Sequence, residues 1–141
     1  TKNSGDGYDA VFLTGGHGTM WDFRESEALR AVVERAWQRG AIVAAVCHGP
    51  AGLLAALDET GAPIVRGRRV TGFTNAEEDA VQLTQSLPYL LQTELDRLGG
   101  RFESAANFQP NVVVDGRLIT GQNPASAGPI GGALVSALRD K

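Results

Sequence analysis

This sequence contains one cysteine and two histidines, Cys47, His17 and His48, in 141 residues. A single cysteine excludes an intrachain disulfide and favours a reducing compartment. No apolar run is long enough for a membrane helix and no signal-peptide pattern is visible, so we expect a cytoplasmic protein without membrane partners. The net charge of −3 gives no reason to expect nucleic acid as a partner.

Glycine, in contrast, is abundant, with 18 residues, about twice average usage. This predicts a fold with many tight loops. The length suits one domain over residues 1–141 that buries a sizeable core. The chain starts at Thr1 without an initiator methionine and reaches a predicted strand within ten residues, which favours a truncated chain.

Short apolar runs alternate with amphipathic segments in the first part of the chain. Residues 10–14 and 42–46 predict strands buried on both faces. Asp22 and Glu25 resemble a capping box that opens a helix ending near Gly40. With a second helix predicted over residues 50–57, the strand–helix order indicates a parallel sheet covered on both faces.

The second half of the chain predicts smaller elements. A turn at Asp115 and Gly116 between two apolar runs is a strong hairpin signal. The other predicted elements are a hairpin pairing residues 64–65 with 69–70, a helix through residues 77–83 capped by Asn75, a helix from Pro88 to residue 98, a weak strand over residues 102–105, and a last helix from residue 126 or 129 to 138.

Cys47 lies between a predicted buried strand and a predicted helix, with Gly49 and Pro50 directly after it. A side chain at such a turn projects from the carboxyl edge of the sheet, where open α/β sheets bind their ligands. The following helix N-terminus is expected to lower the pKa of the thiol. The turn alone leaves open whether Cys47 is a nucleophile or a small buried apolar residue.

A second turn, Gly15-Gly16-His17-Gly18, follows the other buried strand. In a parallel sheet it can lie beside Cys47, where its backbone N–H groups could cradle an oxyanion. Both histidines lie in these two turns, which favours a role in chemistry. A metal site built from Cys47, His48 and His17 fits no familiar zinc spacing, so no metal is expected.

Three consecutive acids, Glu77, Glu78 and Asp79, follow the third candidate motif. One of them could accept a hydrogen bond from His48 and complete a Cys-His-acid arrangement. On sequence alone, the preference of acids for a helix N-terminus explains them better.

Two further positions could contact a ligand. Trp21 could line a pocket or pack in the core. Asn123 precedes a proline, and its side chain either ties loops together, which we favour, or touches a ligand.

Together these motifs resemble the ThiJ/PfpI superfamily, which has the class I glutamine amidotransferase-like fold. Within it the chain is most similar to the glyoxalase III-like branch, related to heat-shock chaperone-glyoxalases. The motifs that carry the resemblance are residues 15–18 with Asp22, residues 45–50, residues 70–74 with the acids that follow, and residues 115–126.

The resemblance implies a flavodoxin-like three-layer α/β sandwich with a mostly parallel central sheet, and often a homodimer. It implies Cys47 as nucleophile, His48 as its base and Glu78 as the acid that orients His48. The backbone N–H groups of Gly16 and His48 would form an oxyanion hole. No cofactor is expected, and the expected substrate-binding residues are His17, Gly15, Trp21 and Asn123.

The resemblance spans about residues 8–138, roughly the C-terminal two-thirds of the family's domain. That domain begins with a further strand and helix, whose segment carries a glutamate close to the cysteine. This chain has no counterpart of that segment, so we expect a sheet lacking its first strand–helix unit. The family also often carries a tryptophan near the position of Asn107 and Phe108.

The implied activity is glutathione-independent conversion of methylglyoxal-type 2-oxoaldehydes to 2-hydroxy acids through a hemithioacetal on Cys47, or the related deglycation of proteins. Two alternatives remain: a cysteine peptidase or amidase, and a non-enzymatic redox sensor or stress chaperone. A glutamine amidotransferase triad is excluded because no histidine follows His48.

Overall fold

A computed structural model describes residues 7–140, and the expectation about the first residues of the chain lies largely outside this range. The strands are β1 (Ala10–Leu13), β2 (Ile42–Val46), β3 (Arg69–Val70), β4 (Arg101–Phe102), β5 (Val112–Asp115) and β6 (Leu118–Gly121). The α-helices are α1 (Thr19–Asp22), α2 (Glu27–Gln38), α3 (Asn75–Ala80), α4 (Leu91–Arg97) and α5 (Ala127–Arg139).

The main sheet has the strand order β1-β2-β6-β5. Strands β1, β2 and β6 are parallel, and β5 pairs antiparallel with β6. The α/β class with a mostly parallel sheet is therefore confirmed. The hairpin predicted around Asp115 and Gly116 is confirmed as well, since Asp115 pairs with Leu118 at its closed end.

Strand β2 is buried along its whole length because helices cover both faces of the sheet. Successive side chains of a strand point to opposite faces. Val43 and Ala45 belong to the core that includes residues of α2, whereas Ile42, Ala44 and Val46 pack in a second core with residues of α5. This arrangement explains why the run of residues 42–46 is apolar throughout instead of alternating.

Two predicted helix boundaries near the site were wrong. The long helix begins at Glu27 rather than near Asp22, since the Ser26 side chain accepts a hydrogen bond from the Leu29 backbone N–H and caps it. The segment after Cys47 is a short 3₁₀ helix, Gly49–Leu53, instead of an α-helix over residues 50–57. Gly40 follows the end of α2 with φ +84°, as predicted for a helix terminus.

The hairpin predicted between residues 64–65 and 69–70 was also wrong. Strand β3 instead pairs in parallel with β4, more than thirty residues further along the chain. Local apolar runs around a glycine do not specify such a long-range partner. The other differences are shorter elements: α3 ends at Ala80, α4 starts at Leu91, and β4 covers only Arg101–Phe102.

Helix α3, which carries the three acids, is capped by Thr74 and not by Asn75. The Thr74 hydroxyl accepts from the Glu77 backbone N–H, and the Glu77 carboxylate accepts from the Thr74 backbone N–H. This reciprocal capping box fixes the start of the helix beside the carboxyl edge of the main sheet. Within residues 7–140, no helix is long and apolar enough to cross a membrane.

Candidate active site

Cys47 follows β2 directly and adopts a left-handed backbone conformation with φ +62°. For a residue with a β carbon this costs about 1–3 kcal/mol. Two backbone hydrogen bonds hold it there: its N–H donates to the Gly121 carbonyl, and its carbonyl accepts from the Phe73 N–H, both at 2.9 Å. The predicted strand-to-helix elbow therefore exists, although a 3₁₀ helix follows it.

The glycine turn after β1 packs directly against this elbow. A β carbon on Gly15 would lie 2.8 Å from the Cys47 Cβ and 2.9 Å from the Val46 carbonyl oxygen, so only glycine fits without displacement. Gly16 has φ +113°, a conformation that other residues rarely adopt. The Thr19 hydroxyl lies within hydrogen-bond distance of the His48 carbonyl and so links the two turns.

The side chains of Cys47, His48 and Glu78 form a continuous chain of contacts. The Cys47 Sγ lies 3.4 Å from His48 Nδ1, and His48 Nε2 lies 2.7 Å from Glu78 Oε2. Because a carboxylate only accepts hydrogen bonds, Nε2 carries the proton, and Nδ1 of a neutral ring presents its lone pair to the thiol. This is the geometry of a nucleophile, a base and an acid that orients the base.

The structure distinguishes the three acids of α3. Glu78 contacts His48, whereas the adjacent Glu77 accepts hydrogen bonds from the Phe108 backbone N–H and the Asn123 side chain. Asp79 is exposed and accepts from the Thr84 hydroxyl. Successive helix positions point about 100° apart, which separates these contacts.

His17 also contacts Glu78. Its Nε2 lies 3.0 Å from Glu78 Oε1, on the carboxylate oxygen that His48 does not use. The His17 and His48 rings lie with their centroids 4.0 Å apart. His17 was expected to bind substrate. In the structure its side chain contacts the Glu78 carboxylate and the His48 ring.

His17, His48 and Glu78 are also the set that could hold a metal ion, since their donor atoms all lie within 4.8 Å of one another. Two imidazoles and a carboxylate are ligands that zinc and iron accept. In the structure the same donor atoms bond to one another, which already satisfies them.

The expectation of a lowered thiol pKa was wrong. Burial raises the pKa of Cys47 to about 11, and the negative charges of Glu77 and Glu78 add to this rise. Hydrogen bonds from the backbone N–H groups of His48 and Gly16 to the thiol lower it only in part. The short 3₁₀ helix after the elbow supplies too few aligned peptide dipoles to offset the desolvation.

The same two N–H groups are the ones predicted to form an oxyanion hole, and the structure places both at the sulfur. A mainly apolar cleft of about 340 Å³ opens beside them. Its lining residues are Phe12, Thr14, Gly15, Gly16, Val46, Cys47, Pro124 and Ala127.

The structure does not bring Trp21 or Asn123 to this cleft. Trp21 is half-exposed and lines a separate cleft of about 540 Å³ with Arg24 and Tyr89. Asn123 is fully buried, and its amide donates to the Glu77 carboxylate and to the Gln109 carbonyl. Its side chain ties loops together, the role that the sequence favoured for it.

Sequence reasoning did not identify the roles of two residues that shape the site. Phe73 packs against the His48 ring at a centroid distance of 4.4 Å, and Glu77 joins α3 to the segments around residues 108 and 123. The Thr-x-x-Glu spacing of Thr74 and Glu77 is a capping-box signal that the sequence already contained. No local pattern identifies the partner of Phe73.

The known proteins to which this chain is similar include several glyoxalases. The chain is 34% identical to the probable glutathione-independent glyoxalase hsp3104 of Schizosaccharomyces pombe, covering 97% of this chain and 66% of that protein. It is 32% identical to the glutathione-independent glyoxalase HSP31 of Saccharomyces cerevisiae, covering 96% and 60%. The crystal structure of glyoxalase III from Candida albicans superposes with a TM-score of 0.88 at 31% identity, covering 96% and 59%.

The chain thus spans about three-fifths to two-thirds of the length of these relatives. The family model of the DJ-1/PfpI family matches residues 2–137, which is nearly the whole chain. This agrees with the resemblance that the motifs around Cys47 indicated. The chain belongs to the DJ-1/PfpI family.

Proposed function

We propose that this chain carries the cysteine site of a glutathione-independent glyoxalase, which converts methylglyoxal-type 2-oxoaldehydes to 2-hydroxy acids. The observation that carries the proposal is the alignment of the Cys47 thiol, the His48 ring and the Glu78 carboxylate at 3.4 and 2.7 Å. The glyoxalases to which the chain is similar support the choice of substrate class.

His48 activates the nucleophile in this proposal. Since the pKa of Cys47 is about 11, the resting thiol is protonated at neutral pH, and a base must take its proton as the sulfur attacks. His48 Nδ1 faces the sulfur, and Glu78 stabilises the imidazolium that forms. Attack on the aldehyde carbon gives an oxyanion beside the N–H groups of Gly16 and His48.

The remaining steps need no external oxidant or reductant. Protonation of the oxyanion gives a hemithioacetal, and the hydrogen on its carbon then leaves as a proton. The resulting enediolate takes up a proton on the adjacent carbon, and its remaining hydroxyl proton moves to the neighbouring oxygen, which gives a 2-hydroxy thioester. Water hydrolyses the thioester, which releases the 2-hydroxy acid and regenerates the thiol. Among the described residues, His48 is the base placed beside the sulfur for these transfers.

The shape of the cleft fits a small substrate. Its volume of about 340 Å³ and its mainly apolar lining suit a short aldehyde with a methyl group, and Cys47 is among the lining residues. An aldehyde adduct on a protein side chain could reach the same sulfur, since the cleft is open to solvent.

The test is lactate formation from methylglyoxal without glutathione. We expect Cys47→Ala to lower kcat at least about 1,000-fold, since the covalent step is lost. The matched control is Glu25→Gln, an exposed acid that should leave the rate unchanged. Equal lactate formation by Cys47→Ala would exclude the mechanism, and Cys47-dependent cleavage of a chromogenic amide without lactate formation would replace the proposal by an amidase.

A further inference from the structure

We infer that His17 is a positioning residue, which fixes the Glu78 carboxylate and through it the His48 ring. The inference rests on the proposed function for its kinetic readout. The geometry behind it is the pair of hydrogen bonds on the Glu78 carboxylate: His48 on Oε2 at 2.7 Å and His17 on Oε1 at 3.0 Å.

Glu78 is fully buried, so its oxygens cannot turn to water for hydrogen bonds. Among residues 7–140, its carboxylate forms ion pairs only with the two histidines, and no lysine or arginine contacts it. A buried carboxylate is expensive unless donors satisfy it. His17 therefore supplies half of the side-chain hydrogen bonding of this acid.

Two donors on different oxygens also fix the rotation of the carboxylate group. With His48 alone, the group could turn about its last side-chain bond and present either oxygen at a range of angles. The hydrogen bond from His17 to Oε1 prevents this rotation, so that Oε2 keeps its lone pair directed at His48 Nε2. The ring of His48 is then held with Nδ1 toward the Cys47 sulfur.

His17 makes a second, separable contact with its ring. The rings of His17, His48 and Phe73 form a triangle of contacts, with centroids 4.0 Å apart for His17 and His48, 4.4 Å for His48 and Phe73, and 5.6 Å for His17 and Phe73. His48 is fully buried, whereas the His17 side chain is 34% exposed. The His17 ring thus covers His48 on the solvent side, independently of its hydrogen bond to Glu78.

The glycine turn holds His17 in this position. The His17 carbonyl accepts from the Met20 backbone N–H at 3.0 Å, at the start of α1. The Thr19 hydroxyl, one residue before Met20, lies 3.1 Å from the His48 carbonyl. The segment that carries His17 is therefore attached to the residue that His17 acts upon.

Three substitutions separate the two contacts. His17→Gln places an amide nitrogen at the position of Nε2 and keeps the donor without the ring. His17→Asn has the same amide on a shorter side chain that does not reach Glu78 Oε1. His17→Phe keeps a ring over His48 and removes the donor. Circular dichroism and the melting temperature establish that each variant is folded.

We expect His17→Phe and His17→Asn to lower kcat about 10- to 100-fold, part of what a positioned general base contributes. KM should change less than about threefold, because His17 is not among the residues that line the cleft beside Cys47. His17→Gln should remain within about fivefold of the unsubstituted protein. In a Glu78→Gln background, His17→Phe should have no further effect, because the residue through which it acts is already changed.

The inference is overturned if His17→Phe keeps full kcat, if the substitutions raise KM alone, or if their effects multiply with that of Glu78→Gln. If only His17→Phe fails to fold, the comparison of Gln with Asn decides. The rate of Cys47 alkylation by iodoacetamide gives a second readout without any aldehyde. This alkylation rate should be lower in His17→Asn and His17→Phe than in the unsubstituted protein, and close to the unsubstituted rate in His17→Gln. The measurement tests the role of His17 even if no lactate forms.

Discussion

Gly15 lies so close to Cys47 that a β carbon on the glycine would meet the Cys47 Cβ at 2.8 Å. Two turns from different strands thereby come into direct backbone contact. Their N–H groups face the same sulfur as a result, with one contributed by Gly16 and the other by His48.

Gly15→Ala should force this contact apart. We expect a loss of about 1–3 kcal/mol in the free energy of unfolding, since neither the Val46 carbonyl nor the Cys47 Cβ can move away without backbone displacement. Gly18→Ala is the matched control, because nothing lies within 4 Å of a β carbon there. Denaturant unfolding of both variants measures the difference, and equal stabilities would contradict the close packing of the two turns.

Glu77→Gln should destabilise the protein although the side chain keeps its size. The carboxylate accepts hydrogen bonds from Thr74, Phe108 and Asn123, and an amide nitrogen would face at least one of these donors. We expect a loss of about 2 kcal/mol in the free energy of unfolding. The exposed Glu25→Gln should stay within about 0.5 kcal/mol of the unsubstituted protein.

Protonation of the Glu77 carboxylate should account for part of the loss of folding stability at acid pH. Burial raises the pKa of Glu77, but the hydrogen bonds from Thr74, Phe108 and Asn123 outweigh it and leave the pKa below its usual value of 4.5. A lowered folded-state pKa stabilises the protein above the unfolded value, and this contribution is lost as the pH falls through the folded value. The stability difference from Glu77→Gln should therefore shrink below about pH 4.5. A constant difference down to pH 3 would contradict this account.

The alkylation rate of the Cys47 thiol should still be rising at alkaline pH, where the rate of an ordinary thiol has levelled off. Because burial raises the pKa of Cys47 to about 11, its alkylation rate should increase about tenfold per pH unit between pH 8 and 10. A peptide thiol at the ordinary value of 9.0 should level off in that range. Cys47 is the only cysteine, so mass spectrometry reads this site alone. A plateau below pH 9 would contradict the effect of burial.

Much of the backbone structure near Cys47 was predictable from the sequence. The apolar runs that became β1 and β2, the elbow at Cys47 and the glycine turn at residues 15–18 are local patterns, and the structure has each of them. Hydrophobic periodicity reports burial directly, which explains this success. The hairpin predicted at residues 64–70 was wrong because β3 pairs with β4, a partner far along the chain. The helix predicted over residues 50–57 was wrong in type and length, since the structure has a 3₁₀ helix over Gly49–Leu53.

The sequence by itself determined which reactive groups are available: one thiol, two imidazoles and a run of three acids. Only the tertiary structure decided that Glu78 faces His48, and that His17, sixty-one residues away in the chain, shares this carboxylate. It also decided that the thiol pKa is raised and not lowered. The physical reason is that hydrogen-bond partners and desolvation depend on where neighbouring segments lie, which local residue patterns do not specify.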